Sequence, residues 1–149
     1  MSTVTEPRIG EVLPDEAMKL LMADPGTVLI DVRTRPEWNF VGAPDLGNMP
    51  NPFLFVEWQF WPDMTENPRF ADTVMEMLWG REPARLLFLC RSGVRSLSAA
   101  RAMARHLQAV GQTGECLNVT GGFEGDKDDA GHRGTRNGWK AAGLPWRQG

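Results

Sequence analysis

Apolar strand-like runs alternate with helical spacing along most of the chain. Residues 28–32, Val-Leu-Ile-Asp-Val, form a continuous apolar run broken only by a carboxylate near its end. That is the pattern of a parallel strand buried on both faces, with its C-terminal end opening towards a site. Residues 85–90, Arg-Leu-Leu-Phe-Leu-Cys, repeat it. After Gly93, the positions Leu97, Ala100, Met103, Ala104, Leu107 and Val110 recur at three- and four-residue steps, with Arg101, Arg105 and Gln108 between them. This spacing predicts an amphipathic helix, and Gly111 and Gly114 punctuate its end. Shorter signals fill the remainder. A strand is expected over residues 9–12, and a helix from Pro14 carries Ala17, Leu20 and Leu21 until Asp24-Pro25-Gly26 stops it. Pro68, Phe70, Val74, Met77 and Leu78 predict a helix to about Trp79, residues 116–119 a short strand, and residues 139–142 one helical turn. Two stretches resist assignment. Residues 51–67 hold Phe53, Phe55, Trp58, Phe60 and Trp61 with mixed periodicity, and residues 125–138 are glycine-rich and charged, which reads as a long surface loop.

The alternation predicts an α/β fold. No repeat, low-complexity tract or linker interrupts it, so residues 1–149 are read as one domain. Composition agrees with a packed globule: 42% of residues are hydrophobic and 23% charged. A formal net charge of -3 supplies no overall field to gather nucleic acid or an anionic membrane, so any basic site must be local. Aliphatic runs such as residues 86–89 fall far short of a membrane span, and residues 1–10 show no apolar leader core. A cytoplasmic protein with no nucleic-acid or membrane partner is expected. Cys90 and Cys116 are too few for a disulfide framework and lack zinc-site spacing, and His106 with His132 cannot make a metal site alone. No metal or cofactor is expected.

The chemistry converges on Cys90. A buried strand, a cysteine, a short loop with Gly93 and then an amphipathic helix bring successive backbone N–H groups and a helix N-terminus to one place, which holds anions. The same positive surroundings favour a thiolate, the nucleophilic form of sulfur. Arg91 and Arg95 add full charges, and an arginine fork can take two oxygens of a tetrahedral oxyanion. The loop therefore suits an anionic substrate attacked by sulfur. Two chemistries use such equipment: sulfane-sulfur transfer through a cysteine persulfide, and phosphoryl or arsenate chemistry through a cysteinyl intermediate. Four residues separate Cys90 from Arg95, whereas cysteine phosphatases use a loop one residue longer to cradle phosphate. The shorter loop fits a terminal sulfur atom.

Four motifs, in order, resemble those of the rhodanese family. Leu29-Ile30-Asp31-Val32-Arg33 followed by Pro36-Glu37-Trp38 is similar to its early strand and acidic-aromatic signature. Cys90-Arg91-Ser92-Gly93-Val94-Arg95-Ser96 is similar to its active loop, and Asn118-Val119-Thr120-Gly121-Gly122-Phe123 to its double-glycine turn. Gly138-Trp139-Lys140-Ala141-Ala142-Gly143-Leu144-Pro145 is similar to its C-terminal ending. The chain departs at Val41-Gly42-Ala43-Pro44-Asp45-Leu46, which lacks the histidine the family often carries there. The resemblance implies a central parallel sheet flanked by helices on both faces, and a thiosulfate sulfurtransferase in which Cys90 takes sulfur from thiosulfate or a persulfide and passes it to a cyanide or thiol acceptor. A small anionic donor, that acceptor and a sulfur-relay protein are the expected partners. Arg91, Ser92, Gly93, Val94 and Arg95 are the expected substrate-binding set, with Asp31, Arg33 and Ser96 in support.

Plainer roles are expected elsewhere. Cys116 lies in an apolar strand without a cationic loop and reads as packing. Asp31 at a strand end reads as a partner for backbone or for Arg33, and His106 and His132 as solvated residues. The aromatics of residues 53–61 read as core or as a pocket wall. A parallel topology returns residues 125–138 to the sheet end that carries Asp31 and Cys90, where a mobile, solvated loop would tune the choice of donor or acceptor together with Trp58 or Trp61; an ordinary ordered surface loop remote from Cys90 is the plainer alternative. A sulfur carrier without turnover and a phosphatase or arsenate reductase of the same fold are the competing readings.

Overall fold

A computed structural model describes residues 7–148. Most of the expectation for residues 1–10, and the first six residues and last residue of the single-domain reading, lie outside the described residues. In chain order the elements begin with β1 (Gly10–Val12), α1 (Pro14–Ala23), β2 (Val28–Asp31), α2 (Arg35–Phe40) and β3 (Ala43–Pro44). They continue with β4 (Phe53–Phe55), β5 (Gln59–Phe60), β6 (Thr65–Glu66), α3 (Phe70–Met77) and β7 (Arg85–Leu89). The last four are α4 (Val94–Ala109), β8 (Glu115–Val119), α5 (Gly138–Ala141) and β9 (Trp146–Arg147).

Five strands pair in parallel in the order β1-β8-β7-β2-β4. The continuous apolar runs have their cause in the two faces of this sheet. Val28 and Ile30 of β2, with Leu86 and Phe88 of β7, pack into one core with Phe70 and Val74 of α3 and Ala100, Met103 and Leu107 of α4. Leu29, Leu87 and Leu89 point the other way, into a core with Ala17 and Leu21 of α1 and Trp139 of α5. Successive strand side chains alternate between faces, so a strand covered on both sides must be apolar at every position.

Connectivity then selects the site. From β2 the chain leaves to β4 on one side and returns through α3 to β7 on the other. The strand order reverses between β2 and β7, and a crevice opens beyond their carboxyl ends, the usual place for a ligand in an open α/β sheet. Asp31 ends β2 there, and Cys90 directly follows β7.

The aromatic stretch resolves into separate duties. Leu54, Val56 and Trp58 are buried, whereas Phe60 and Trp61 are exposed on the two-stranded β5–β6 hairpin, in its first strand and its turn. A strand, a core loop and a hairpin run together here, so no single period emerges. Helix α2 also escapes the periodicity because it has no buried residue and no apolar stripe. Helix α5 begins at Gly138, one residue earlier than the spacing suggests. Among the described residues, no helix is long and apolar enough to cross a membrane.

Candidate active site

Cys90 leaves β7 at the floor of the crevice, and two polar groups touch its sulfur. The Gly93 N–H donates to Sγ at 3.1 Å, and Ser96 Oγ lies 3.2 Å from it. Gly93 has a φ of 116°, a left-handed conformation that turns the chain from the loop into the first turn of α4. The loop is held from below by the double-glycine turn. Phe123 and Glu124 donate their N–H groups to the carbonyls of Cys90 and Arg91 at 2.7 and 2.9 Å. This approach requires glycine at 122, where φ is 63° and a Cβ would stand 2.5 Å from the Cys90 carbonyl oxygen.

Above the sulfur lies a cleft of about 720 Å³. Arg91, Ser92, Val94 and Arg95 line it beside Cys90, with Glu124 and Arg133 on one rim. Phe40, Val41, Trp61 and Met64 form an apolar wall. Trp58 belongs to the core, so of the two tryptophans named from sequence only Trp61 faces the site.

The two arginines differ. Arg95 clamps Glu37 with both terminal nitrogens, at 2.6 and 2.8 Å. Glu37 also accepts the N–H and hydroxyl of Thr34 at 3.1 and 2.9 Å, which closes the start of α2. Burial pushes the Glu37 carboxyl up, but the hydrogen bonds and charge of Arg95, with the bonds from Thr34, outweigh it and hold the group at about 2 instead of 4.5. Burial acts to lower the Arg95 pKa, and Glu37 more than reverses this. Arg91 is exposed at the cleft and free of such a clamp. Among the described residues of the loop, Arg91 is thus the arginine whose charge no carboxylate holds.

Asp31 and Arg33 form a fully buried pair. Arg33 Nη2 donates to Asp31 Oδ2 at 2.7 Å and to the Gly42 carbonyl at 2.7 Å, while Nε donates to Asp31 Oδ1 at 3.0 Å. The guanidinium also lies 4.3 Å from the centre of the Phe123 ring. This pair ties the end of β2 to the segments around the Cys90 loop and stands outside the cleft lining. Cys116 is buried in the α4 core, where burial and then the neighbouring Glu115 charge push its thiol up to about 12. Its sulfur is packed, and the raised pKa disfavours the thiolate, the nucleophilic form.

Residues 125–138 return to the site rim, where Arg133 contributes to the cleft. The segment is solvated, but it is no slack tether. Asp128 accepts the N–H groups of Ala130 and His132 at 3.0 and 2.9 Å and the Thr135 hydroxyl at 2.7 Å. Asn137 accepts the Asp126 N–H at 2.7 Å, and Arg133 donates to the Gly125 carbonyl at 2.7 Å. Local side-chain bonds replace the strand partners that the segment lacks.

The model of the rhodanese-like domain matches residues 13–129. The chain belongs to the rhodanese-like family. An uncharacterized protein of Rickettsia rickettsii is 34% identical to this rhodanese-like chain over 139 residues, 93% of it and 98% of the relative. The crystal structure of Rv0390 from M. tuberculosis has a TM-score of 0.78 at 43% identity and covers 96% of this chain and 100% of its own. A Rhodopseudomonas palustris protein of unknown function, described as a possible tyrosine phosphatase, has a TM-score of 0.53 at 19% identity, with 99% of each chain covered. That last likeness is one of fold alone.

Several residues of this rhodanese-like site carry no assigned role in the sequence reading. Glu37 has a local signal, since Thr34 followed three residues later by Glu is the spacing of a helix capping box. Its long-range clamp on Arg95 has none. Phe40 and Arg133 line the cleft from segments without periodicity, and Asn118 and Glu11, whose side chains meet, are 107 positions apart.

Proposed function

We propose that this protein is a sulfurtransferase that moves sulfane sulfur from thiosulfate or a persulfide donor to a thiophilic acceptor through a persulfide on Cys90. One observation carries the reading: the Cys90 sulfur lies at the floor of a cleft, with the Gly93 amide on it and the exposed Arg91 cation at the mouth. In the first step the Cys90 thiolate attacks the outer sulfur of the donor. A new S–S bond forms, the donor's S–S bond breaks, and its electron pair leaves with sulfite or with the donor thiolate. In the second step the acceptor attacks the outer sulfur of the Cys90 persulfide, and the electron pair of that S–S bond returns to Cys90. Arg91 balances the donor's negative charge, and the Gly93 N–H with the positive end of α4 stabilises the anionic sulfur.

The cleft also bears on the acceptor. A volume of about 720 Å³ with an apolar wall of Phe40, Trp61 and Met64 far exceeds what cyanide occupies, which favours a thiol on an organic body or on a sulfur-relay protein. Two free cysteines suit a reducing, cytoplasmic setting.

Steady-state thiocyanate formation from thiosulfate and cyanide tests the reading. Wild type and Cys116→Ser should turn over at similar rates, and Cys90→Ser should be inactive because oxygen cannot carry a sulfane sulfur as a persulfide. Residual turnover in a clean Cys90→Ser preparation would exclude the mechanism. Loading without turnover would identify a sulfur carrier. Hydrolysis of an aryl phosphate would favour the phosphatase reading, which the short loop opposes.

A further inference from the structure

Both groups that touch the Cys90 sulfur are held by one side chain outside the cleft. Asn118 Nδ2 donates to the carbonyl of Gly93 at 3.1 Å, and Asn118 Oδ1 accepts the Ser96 hydroxyl at 2.5 Å. Nδ2 donates as well to Glu11 Oε1 at 3.0 Å, and that oxygen also accepts the Thr120 hydroxyl at 2.8 Å. The sheet sets up this contact, because Glu11 of β1 stands opposite Asn118 of β8 in the parallel register. Asn118 and Ser96 are buried, and neither Asn118 nor Glu11 lines the cleft.

The network fixes which way the amide points. Turned over, its oxygen would face the Glu11 carboxylate and the Gly93 carbonyl, acceptor against acceptor with no proton between them. Oδ1 therefore faces Ser96, whose hydroxyl proton has two acceptors in reach, Asn118 Oδ1 at 2.5 Å and Cys90 Sγ at 3.2 Å. Asn118 thus sets the Ser96 hydroxyl against the sulfur, and it holds the neighbouring Gly93 amide through the Gly93 carbonyl.

We infer that Asn118, oriented by Glu11, is a positioning residue that fixes the attacking sulfur through Ser96 and Gly93. The role in turnover rests on sulfur transfer at Cys90; the positioning of the sulfur does not. Loss of Asn118 should slow attack by the sulfur and leave donor binding in the cleft unchanged.

The test compares Asn118→Ala, Ser96→Ala, the double variant, Glu11→Ala and Glu11→Gln. Two readouts are needed: kcat and KM with thiosulfate, and the rate of Cys90 alkylation by iodoacetamide, followed by mass. Asn118→Ala should lower kcat about tenfold with KM unchanged, the order of effect expected when a reacting group is slightly misplaced. The double variant should be no slower than Asn118→Ala alone, because residues acting in one chain are not additive. Glu11→Gln keeps an acceptor oxygen and should match wild type, whereas Glu11→Ala should fall about threefold as the amide loses its anchor. Alkylation should slow in the same order. Multiplying losses in the double variant, an effect on KM alone, or equal loss in Glu11→Gln and Glu11→Ala would each overturn the inference. Should the protein fail to turn over thiosulfate at all, the sulfurtransferase reading falls and the alkylation series still decides the positioning. The Glu11 variants, at an exposed position on the edge strand, decide it if Asn118→Ala does not fold.

Discussion

Arg95 holds Glu37 through both terminal nitrogens, so an incoming anion would have to displace a carboxylate to reach it, whereas Arg91 stands open at the mouth of the cleft. From the sequence, Arg95 as the residue that closes the loop is expected to hold the loop's fold, and Arg91, further out, to serve mainly substrate binding. Their division of labour comes from Glu37, 58 positions from Arg95 and on a helix that shows no apolar stripe. The same clamp makes the protein sensitive to acid. Glu37 titrates near 4.5 when unfolded and about 2 when folded, so its contribution to stability is complete above the higher value and lost as pH falls towards the lower. The unfolding temperature of wild type should therefore drop more steeply than that of Glu37→Gln between about pH 6 and about pH 3. Parallel decline of the two proteins would mean that the clamp contributes nothing to stability.

Elements with a single period are the ones the sequence discloses. β2, β7 and α4 each bury a regular pattern, and their bounds agree with the spacing to within a residue or two. The loop of residues 125–138 is legible as solvated and as returning to the site rim. Its internal order is not, because Asp128, Thr135 and Asn137 create it through bonds within the loop that no apolar pattern records. The backbone N–H of His132 and the Thr135 hydroxyl hold the exposed Asp128 carboxyl below its usual range, consistent with an anion in use as a hub. Asp128→Ala should open the segment to trypsin at Lys127, Arg133 and Arg136 and alter the ratio of rates with thiol and cyanide acceptors. Sulfur loading of Cys90 should persist. Limited proteolysis with paired acceptor assays checks this, and loss of loading would mean that the loop belongs to the catalytic machinery itself.

At the scale of the molecule, alternating buried strands and helices suffice to read the parallel α/β sheet, because β2 and β7 must be covered on both faces. The edges are less legible. β4 has only three residues, and the β3–β9 bridge pairs segments about a hundred positions apart, so neither leaves a periodic trace. The topology nonetheless puts the two residues read at strand ends, Asp31 and Cys90, on one crevice, and gives them different tasks. Asp31 is spent on the buried Arg33, while Cys90 faces the cleft. Sulfur transfer through Cys90 is tested most directly by the native mass of the protein after exposure to thiosulfate and removal of the excess. One added sulfur atom is expected, located on Cys90, released by cyanide and missing in Cys90→Ser. An unchanged mass in the wild-type protein, or an added sulfur that survives in Cys90→Ser, would contradict it.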